Sequence, residues 1–331
     1  MRETTRKGKL LNLIDDFRNK KVLVIGDYIL DAETDLELTG AALELPIPRY
    51  KFLSTAFSHG GAGNVVKNLA ELGAEVSFVT LLGEDYYSSE ARKWHPNVTF
   101  LPVIEAGRKT TVKQRFWVRH RENQYPLFKI NQQSEEVVGE ETKDKILDEV
   151  KKQLRSRDIV ILADYRHGML NEPLIDGLLF YKSQGKTWIA SSQVSQKDSN
   201  HHLYSGVDLI CMNQKEAEEV MTAAEVSNIS SPCLFHNLEE VLHSNICITS
   251  GEKGSVLYLN GKKYKTEGIK VKEVDSCGAG DSFLSAFALS DYKKNPREAL
   301  YLANVWAGLS VQQRGTKVPL KEELIKFING N

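Results

Sequence analysis

Apolar residues in this chain follow two patterns that alternate along its length. The first is a short continuous run, which is typical of strands buried on both faces of a parallel sheet. These runs lie at residues 21–26, 74–82, 158–163, 186–190, 207–212, 245–249 and 255–259. The second is an apolar stripe at helical spacing, which lies at residues 10–17, 64–72, 216–221, 282–289, 302–311 and 320–327. The alternation predicts an α/β fold with a mostly parallel sheet.

Two segments depart from this alternation, at about residues 32–58 and 110–131. Pro46 and Pro48 interrupt any helix in the first segment, and both segments carry scattered aromatic and aliphatic residues of strand character. We interpret them as a small second sheet attached to the main fold. An irregular loop with an edge hairpin would produce the same pattern.

Length and composition are those of an ordinary globular protein. The chain has 331 residues, of which 41% are hydrophobic and 26% charged, and its formal net charge is −1. This balance provides no global field for binding nucleic acid or a membrane surface. Because the sequence shows no internal repeat and no low-complexity linker, residues 1–331 are predicted to form one domain, to which the small sheet belongs.

The N-terminus and the cysteines bear on the location of the protein. The amphipathic N-terminal segment lacks the uninterrupted apolar core of a signal peptide, and no apolar stretch approaches the length of a membrane span. Cys211, Cys233, Cys247 and Cys277 show no C-x-x-C spacing, which argues against a zinc site or a disulfide framework. We expect a cytoplasmic protein.

Polar residues follow several of the predicted strands directly. The residues at these positions are Asp27 and Asp31, Asp164, and the pair Asn213 and Glu216. Open α/β sheets bind their ligands at the carboxyl ends of the strands, so a site is expected here. A purely structural explanation is also available, because Asn213 and Glu216 have the spacing of a capping box at a helix start.

Two glycine-rich turns precede helices. Residues 278–281 read Gly-Ala-Gly-Asp, and the unpaired N–H groups of the following helix N-terminus would form an anion site. Asp281 is then either an N-terminal cap or a general base beside the bound anion. Residues 60–64 read Gly-Gly-Ala-Gly-Asn and would expose backbone and the Asn64 amide to hydroxyl groups, although glycines also serve close packing.

Lys113 and Arg115 are separated by one residue within the second unusual segment. On a strand they would face the same side, where both could contact one anionic group such as a sugar phosphate. An exposed strand face is the alternative explanation for the pair.

These motifs, in this order, resemble the signatures of the ribokinase (PfkB) family of carbohydrate kinases over about residues 21–316. Residues 275–281 resemble its D-x-x-G-A-G-D signature, residues 26–31 its G-D-x-x-x-D opening, and residues 60–64 its glycine-rich sugar-binding turn. The resemblance implies that Asp281 is the catalytic base and that Gly278, Ala279 and Gly280 form the anion hole. It assigns sugar binding to Asp27, Asp31, Gly60, Gly61 and Asn64.

The resemblance also implies that ATP is the phosphoryl donor and that it binds together with Mg²⁺. Glu216 would order Mg²⁺ through water, which suits an ion that keeps much of its hydration shell. Nucleotide contacts would come from Asn213, Thr249, Gly251, Gly254, Asn304 and Gly308. The implied fold is a three-layer α/β/α sandwich, with the small sheet as a lid over the sugar and as a possible homodimer contact.

Within the family, the segments around Lys113, Arg115 and Asp164 resemble the branch that phosphorylates D-glycero-D-manno-heptose 7-phosphate. All three residues would then contact the acceptor sugar. The sequence departs from that branch at residues 191–193, where Ser-Ser-Gln stands in place of Asp-Pro-Lys. The lysine expected to contact a phosphate is therefore missing, and Lys197 is a speculative replacement.

The sequence thus predicts an ATP-dependent sugar kinase whose acceptor is a heptose 7-phosphate or a related sugar phosphate used for cell-surface polysaccharide precursors. A kinase for another sugar or for a nucleoside is one alternative. A regulatory protein that binds a sugar or nucleotide on the same fold is another. The chain has no G-x-x-x-x-G-K-[ST] loop and no G-x-G-x-x-G after the first strand, which argues against P-loop kinases and dinucleotide-dependent dehydrogenases.

Overall fold

The computed structural model describes residues 2–120, 123–134, 136–182, 185–194, 198–224 and 234–330, so Lys197 and Cys233 lie outside the described residues. The helices within these ranges are α1 (Arg2–Asp16), α2 (Ala62–Glu71), α3 (Tyr86–Glu90), α4 (Glu140–Leu154), α5 (Glu172–Phe180), α6 (Gln214–Ala223), α7 (Leu234–Leu242), α8 (Ala279–Leu289), α9 (Pro296–Ser310) and α10 (Lys321–Gly330). None of these helices has the length and low polarity that a membrane crossing requires.

Nine strands form the main sheet. They are β1 (Lys21–Gly26), β4 (Glu75–Gly83), β5 (Val98–Glu105), β8 (Ile159–Asp164), β9 (Thr187–Ser192), β10 (Leu209–Asn213), β11 (Asn245–Thr249), β12 (Ser255–Leu259) and β13 (Lys262–Thr266). Their order is β13-β12-β11-β10-β9-β8-β1-β4-β5, and all pairs are parallel except those made by β12. The mostly parallel sheet that the sequence predicts is confirmed, and β5 and β13 are strands that the apolar pattern did not predict.

Alternate residues of β1 point into two separate hydrophobic cores. Val22 and Val24 belong to the core formed with α1, α2, α8, α9 and α10. Leu23 and Ile25 belong to the core formed with α4, α5, α6 and α7. A strand covered on both faces presents no side chain to water, which explains its continuous apolar sequence. Helices therefore cover the sheet on both sides, and the predicted three-layer sandwich is confirmed.

A second sheet is formed by β2 (Tyr28–Ala41), β3 (Pro48–Gly61), β6 (Val112–His120) and β7 (Asn123–Gln132), in the order β3-β2-β6-β7. We call these four strands the lid. β2 begins two residues after β1 ends, and β3 ends directly before α2. The lid is therefore anchored at the carboxyl edge of the main sheet. Its strands extend beyond the two predicted segments, because pairing between β2 and β3 continues to Tyr28 and Gly61.

Candidate active site

A cavity lies at the carboxyl edge of the main sheet, between the lid and the N-terminus of α8. The lid, four parallel strands and two helices contribute to its wall, so residues distant in the sequence meet here. The predicted site residues that line it are Asp31, Gly61, Lys113, Arg115, Asp164, Asn213, Glu216, Thr249, Gly278, Gly280 and Asp281. We call it the acceptor cavity.

A second cavity, with a volume of about 400 Å³, adjoins the first. The predicted nucleotide-binding residues that line it are Thr249, Gly251, Gly254, Asn304 and Gly308. Thr249, Gly280 and Phe283 line both cavities. Asn213, which was predicted with the nucleotide group, lines the acceptor cavity. Two adjoining cavities suit a reaction between two bound molecules, and we call the second one the nucleotide cavity.

Asp281 lies in the first turn of α8. Its Oδ2 accepts a hydrogen bond of 2.7 Å from Asn64 Nδ2, and its Oδ1 accepts one from the Tyr165 hydroxyl. Burial raises the pKa of Asp281 to about 6, while the two hydrogen bonds and the Lys67 ammonium oppose that rise. Such a carboxyl is mainly ionised at pH 7 and has a pKa suited to general base catalysis.

The start of α8 also has unpaired backbone donors. Gly278 caps the helix in a left-handed conformation, with φ of 81°. Among the described residues, no acceptor is found for the N–H groups of Gly278, Gly280 and Asp281, whereas the Ala279 N–H donates to the Ser276 carbonyl at 3.2 Å. An anion hole can therefore form here as predicted, but Ala279 has no free N–H to contribute.

Asp31 projects from β2 into the acceptor cavity and is only 5% exposed. One carboxylate oxygen lies 3.7 Å from Arg115 Nη1, and the other accepts a long hydrogen bond of 3.4 Å from the Thr316 hydroxyl. Burial raises the pKa of Asp31. Gly60 on β3 leaves room for this side chain, since a Cβ there would overlap the carboxylate. Gly60 thus serves the site through Asp31.

Lys113 and Arg115 lie on the same face of β6, as predicted, and both line the acceptor cavity. Arg115 is placed between carboxylates, with its Nη1 3.7 Å from Asp31 and 3.5 Å from Glu33. In the described part of the chain, Lys113 Nζ makes no hydrogen bond or ion pair, and burial lowers its pKa. Lys113 is therefore the better placed of the two to neutralise an anion in the cavity.

The Asp27 side chain, between β1 and β2, accepts hydrogen bonds from groups inside the protein. Its Oδ2 accepts the N–H groups of Tyr165 at 2.9 Å and His167 at 3.3 Å, and its Oδ1 accepts that of Met169 at 3.1 Å. Burial and the nearby Asp164 raise the pKa of Asp27. With both oxygens occupied, Asp27 orders the loop after β8, and that loop carries the tyrosine that contacts Asp281.

Asp164 at the end of β8 lines the acceptor cavity but also has several internal donors. Its Oδ2 accepts from Asn200 Nδ2 at 2.7 Å and from the Tyr204 hydroxyl at 2.8 Å, with Ser192 Oγ 3.1 Å away. Its Oδ1 accepts the Arg166 N–H at 2.7 Å. Asp164 therefore has little acceptor capacity left for a sugar and mainly orders the segments around it.

Residues 191–193, where the sequence departs from the heptose kinase branch, lie at the end of β9. Ser191 and Gln193 line the acceptor cavity, whereas the Ser192 hydroxyl lies 2.6 Å from Asn200 Oδ1 inside the protein. Gln193 offers the cavity hydrogen-bond donors without a charge. Any charge for a bound anion has to come from elsewhere in the cavity.

Asn213 and Glu216 form the predicted capping box at the start of α6 and also line the acceptor cavity. Glu216 Oε2 accepts the Asn213 N–H at 2.8 Å, and burial raises the pKa of Glu216. Over the described ranges, no three His, Cys, Asp or Glu side chains are grouped to hold a metal ion. A single carboxylate in the cavity that the start of α8 also lines fits hydrated Mg²⁺, which needs few protein ligands, better than a transition metal.

In the nucleotide cavity, two predicted residues have a visible local function. Asn304 Nδ2 donates to the Glu267 carbonyl at 3.3 Å and so fixes the strand-to-helix connection that lines the cavity. Gly308 permits close packing, because a Cβ there would lie 3.3 Å from Ile269 Cβ. Both residues therefore shape the cavity wall, which Ile269 also lines.

Three site residues were not predicted, namely Tyr165, Lys67 and Thr316. Lys67 on α2 donates to the Thr316 carbonyl at 2.8 Å, and burial lowers the pKa of Lys67 to about 8. A lysine within the apolar stripe of residues 64–72, and a tyrosine directly after the strand-end Asp164, were the available signals. Nothing in the sequence pattern indicated Thr316.

The comparison with known families agrees with this geometry. The profile of the pfkB family of carbohydrate kinases matches residues 19–323. The chain belongs to this family.

Curated relatives in this family are similar to nearly the whole length of this chain. Bifunctional protein HldE of Paramagnetospirillum magneticum is 30% identical over 97% of this chain and 66% of the relative. Bifunctional protein HldE of Desulfatibacillum aliphaticivorans is 30% identical over 93% of this chain and 63% of the relative. The chain thus spans slightly less than two thirds of the length of these relatives.

Solved structures establish the fold independently. A ribokinase from Thermotoga maritima has a TM-score of 0.69 at 20% identity, covering 94% of this chain and 100% of that one. The phosphofructokinase-2 of Escherichia coli, solved with substrates and products, has a TM-score of 0.69 at 16% identity, covering 94% and 99%. Arabidopsis thaliana ribokinase, solved with ribose and ATP, has a TM-score of 0.65 at 19% identity, covering 93% and 98%.

The hydrogen bonds donated to Asp281 lead to a prediction that can be tested without a substrate. We expect Asp281 to titrate near pH 6. Tyr165→Phe removes a hydrogen bond to the ionised form, so the pKa should rise by roughly half to one unit. The measurement is a ¹³C NMR titration of aspartate-labelled protein, with Asp281→Asn to assign the resonance. Tyr292→Phe is the matched control, because the Tyr292 hydroxyl is buried without a described partner. An unchanged pKa in Tyr165→Phe would contradict the expectation.

Proposed function

We propose that this carbohydrate kinase transfers the γ-phosphoryl group of ATP to a hydroxyl group of a sugar phosphate, with a heptose 7-phosphate as the acceptor. The observation that carries the proposal is the position of Asp281. It lies at the N-terminus of α8, where the acceptor cavity meets the nucleotide cavity. The heptose phosphate is inferred from the resemblance of the lid segment and of the loop after β8 to that branch.

The proposed reaction transfers one proton and one phosphoryl group. Asp281 accepts the proton of the acceptor hydroxyl while that oxygen forms a bond to the γ-phosphorus. The bond from the γ-phosphorus to the β–γ bridging oxygen breaks, and ADP leaves. Tyr165 and Asn64 hold the two carboxylate oxygens of Asp281, so the base is oriented before the acceptor binds.

Charge on the transferring group is stabilised by the start of α8. The N–H groups of Gly278, Gly280 and Asp281 and the helix dipole act together on an anion placed at this end. Mg²⁺ held by Glu216 through water and by the phosphates would supply further positive charge. The nucleotide is held in the cavity that Thr249, Gly251, Gly254, Asn304 and Gly308 line.

The acceptor is held from the lid side. Asp31 binds sugar hydroxyls, while Gly60, Gly61 and Asn64 shape or support that part of the site. Lys113 contacts the phosphate of the acceptor, and Arg115 contributes beside it while orienting Asp31. Asp27 and Asp164 act through the segments they order rather than through direct contact.

The base is tested by Asp281→Asn, which keeps the size of the side chain and removes proton acceptance. Turnover should fall by roughly two to four orders of magnitude, whereas binding of ATP, measured by calorimetry, should be retained. Removal of Mg²⁺ with a chelator should abolish turnover in both proteins. Near-normal turnover in the purified variant would remove Asp281 from the mechanism.

The acceptor is tested by comparing a heptose 7-phosphate with the unphosphorylated heptose. Lys113→Met removes a charge and keeps most of the side-chain volume, so kcat/KM for the phosphorylated sugar should fall by about ten- to a hundredfold, as expected for loss of a charge-assisted contact. Arg115→Ala should also lower kcat/KM for the phosphorylated sugar. It should lower kcat/KM for the unphosphorylated heptose too, because Asp31 loses its ion pair.

A wild-type enzyme without preference for the phosphorylated sugar would contradict a phosphate subsite. It would instead favour another sugar or a nucleoside as the acceptor, in keeping with the neutral Gln193. The KM for ATP serves as the internal control in every variant.

We also propose that the chain forms a homodimer through the lid face turned away from the cavity. Pairing in the lid places Leu36, Phe52, Val118 and Tyr125 in one row across the sheet, and Phe116 beside Phe128. Phe52 is 63% exposed, Tyr125 52% and Phe128 48%, so a second copy could cover an apolar surface here.

Sedimentation velocity tests the dimer. Phe128→Lys places a charge in the proposed contact and should shift the protein from dimer to monomer. Phe180→Lys at the end of α5 is the control, because Phe180 is 85% exposed and lies outside the lid. A monomeric wild-type protein at micromolar concentration would refute the proposal.

A further inference from the structure

A chain of buried side-chain hydrogen bonds runs from α9 to Asp281. Trp306 Nε1 donates to Asn68 Oδ1 at 2.8 Å. Asn68 Nδ2 donates to the Asn64 backbone carbonyl at 2.8 Å and lies 3.4 Å from Asn64 Oδ1. Asn64 Nδ2 then donates to Asp281 Oδ2 at 2.7 Å. The three residues that lead to Asp281 are at most 2% exposed, so water cannot readily replace a missing partner.

The direction of this chain is fixed by its first member. An indole N–H can only donate, so the oxygen of the Asn68 amide has to face Trp306. The NH₂ group of Asn68 then faces Asn64, where it donates to the backbone carbonyl and, over a longer distance of 3.4 Å, to the side-chain oxygen. The NH₂ group of Asn64 is thereby left for Asp281. The two asparagines are four residues apart on α2, which places them on one face of the helix, where Asn64 reaches α8 and Asn68 reaches α9.

The orientation of Asn64 decides which form of the base is favoured. In the observed orientation, Asn64 donates to Asp281 and stabilises the carboxylate. A flipped amide would present its oxygen instead, which repels a carboxylate and accepts a hydrogen bond from a carboxylic acid. An unrestrained Asn64 could therefore stabilise the protonated base, which cannot accept a proton.

We propose that Trp306 and Asn68 are positioning residues that hold the Asn64 amide with its NH₂ group toward Asp281. The inference rests on the proposed function, in which Asp281 is the base. According to this inference, two residues outside both cavities help to keep the base ionised. Neither residue touches a substrate in this assignment.

Other groups near Asp281 also influence its charge. They are Asp31 on β2, Lys67 on α2, Tyr165 after β8, Glu216 on α6 and Cys277 before α8. None of them belongs to the hydrogen-bonded chain, and variants of Trp306 or Asn68 leave all of them in place.

The test uses Trp306→Phe, which removes the indole N–H and keeps an aromatic ring. The Asp281 pKa, measured by ¹³C NMR, should rise by roughly half to one unit. The acidic limb of kcat/KM against pH should move to higher pH by the same amount, because Asp281 must be ionised to act. Turnover on the plateau above that limb and the KM for ATP should change less than about threefold, since no substrate contact is lost.

Trp188→Phe is the matched control. Trp188 is also fully buried, and its indole N–H has no described partner, so the same atoms are removed without breaking a hydrogen bond. Asn68→Leu is a second variant, which keeps the side-chain size and removes both polar ends. It should shift the Asp281 pKa in the same direction. If Trp306→Phe does not fold, Asn68→Leu tests the proposal in its place.

Two results would overturn the proposal. One is an unchanged Asp281 pKa in a folded variant of Trp306 or Asn68. The other is an equal shift in Trp188→Phe, which would show that packing alone is responsible. A wild-type protein without kinase activity would refute the proposed function, whereas the NMR titration would still report whether the two residues set the charge of Asp281.

Discussion

Removal of carboxylates from water is the constraint on which this site depends. A buried carboxylate that is not hydrogen-bonded costs several kcal/mol, so each one at the strand ends needs donors from the protein. Asp27 accepts three backbone N–H groups, and Asp164 accepts from a backbone N–H and several side chains. From the described part of the chain, Asp281 accepts two hydrogen bonds, both from side chains. The number and type of donors therefore distinguish Asp27 and Asp164, which order neighbouring segments, from Asp281, the proposed base.

Close approach between segments is the second requirement, and glycine meets it at two places. A Cβ at Gly60 would overlap the Asp31 carboxylate, and one at Gly278 would lie 2.5 Å from Asn64 Nδ2. In both cases the missing side chain makes room for a polar group of a neighbouring element. Gly60 makes room for Asp31 between two lid strands, and Gly278 allows the start of α8 to approach α2, in addition to any contact with a ligand.

The segment after α9 connects the lid to the main fold. The Arg314 guanidinium lies 3.3 Å from the centre of the Trp117 ring and pairs with Glu33 at 2.9 Å. Thr316 contacts Asp31 through its hydroxyl and Lys67 through its carbonyl. These contacts are polar and partly open to water, where an ion pair contributes little net stability. The base of the lid also packs into a hydrophobic core, through Leu30 and Ala32 of β2 and Val112 of β6.

The sequence by itself determined the alternation of strands and helices, seven of the nine strands of the main sheet, the two segments of the lid and the residues at the strand ends. Local patterns carry this information, because continuous apolar runs, glycine turns and helix caps depend on neighbours in the chain. Only the tertiary structure decided what each polar residue contacts. Asp27 and Asp31 look equivalent in sequence, yet one orders a loop and the other lines the cavity. Trp306 lies in an apolar helix, and its hydrogen bond to Asn68 exists only because α2 and α9 both pack against α8. This contact joins residues 238 positions apart, a distance over which the sequence pattern carries no directional signal.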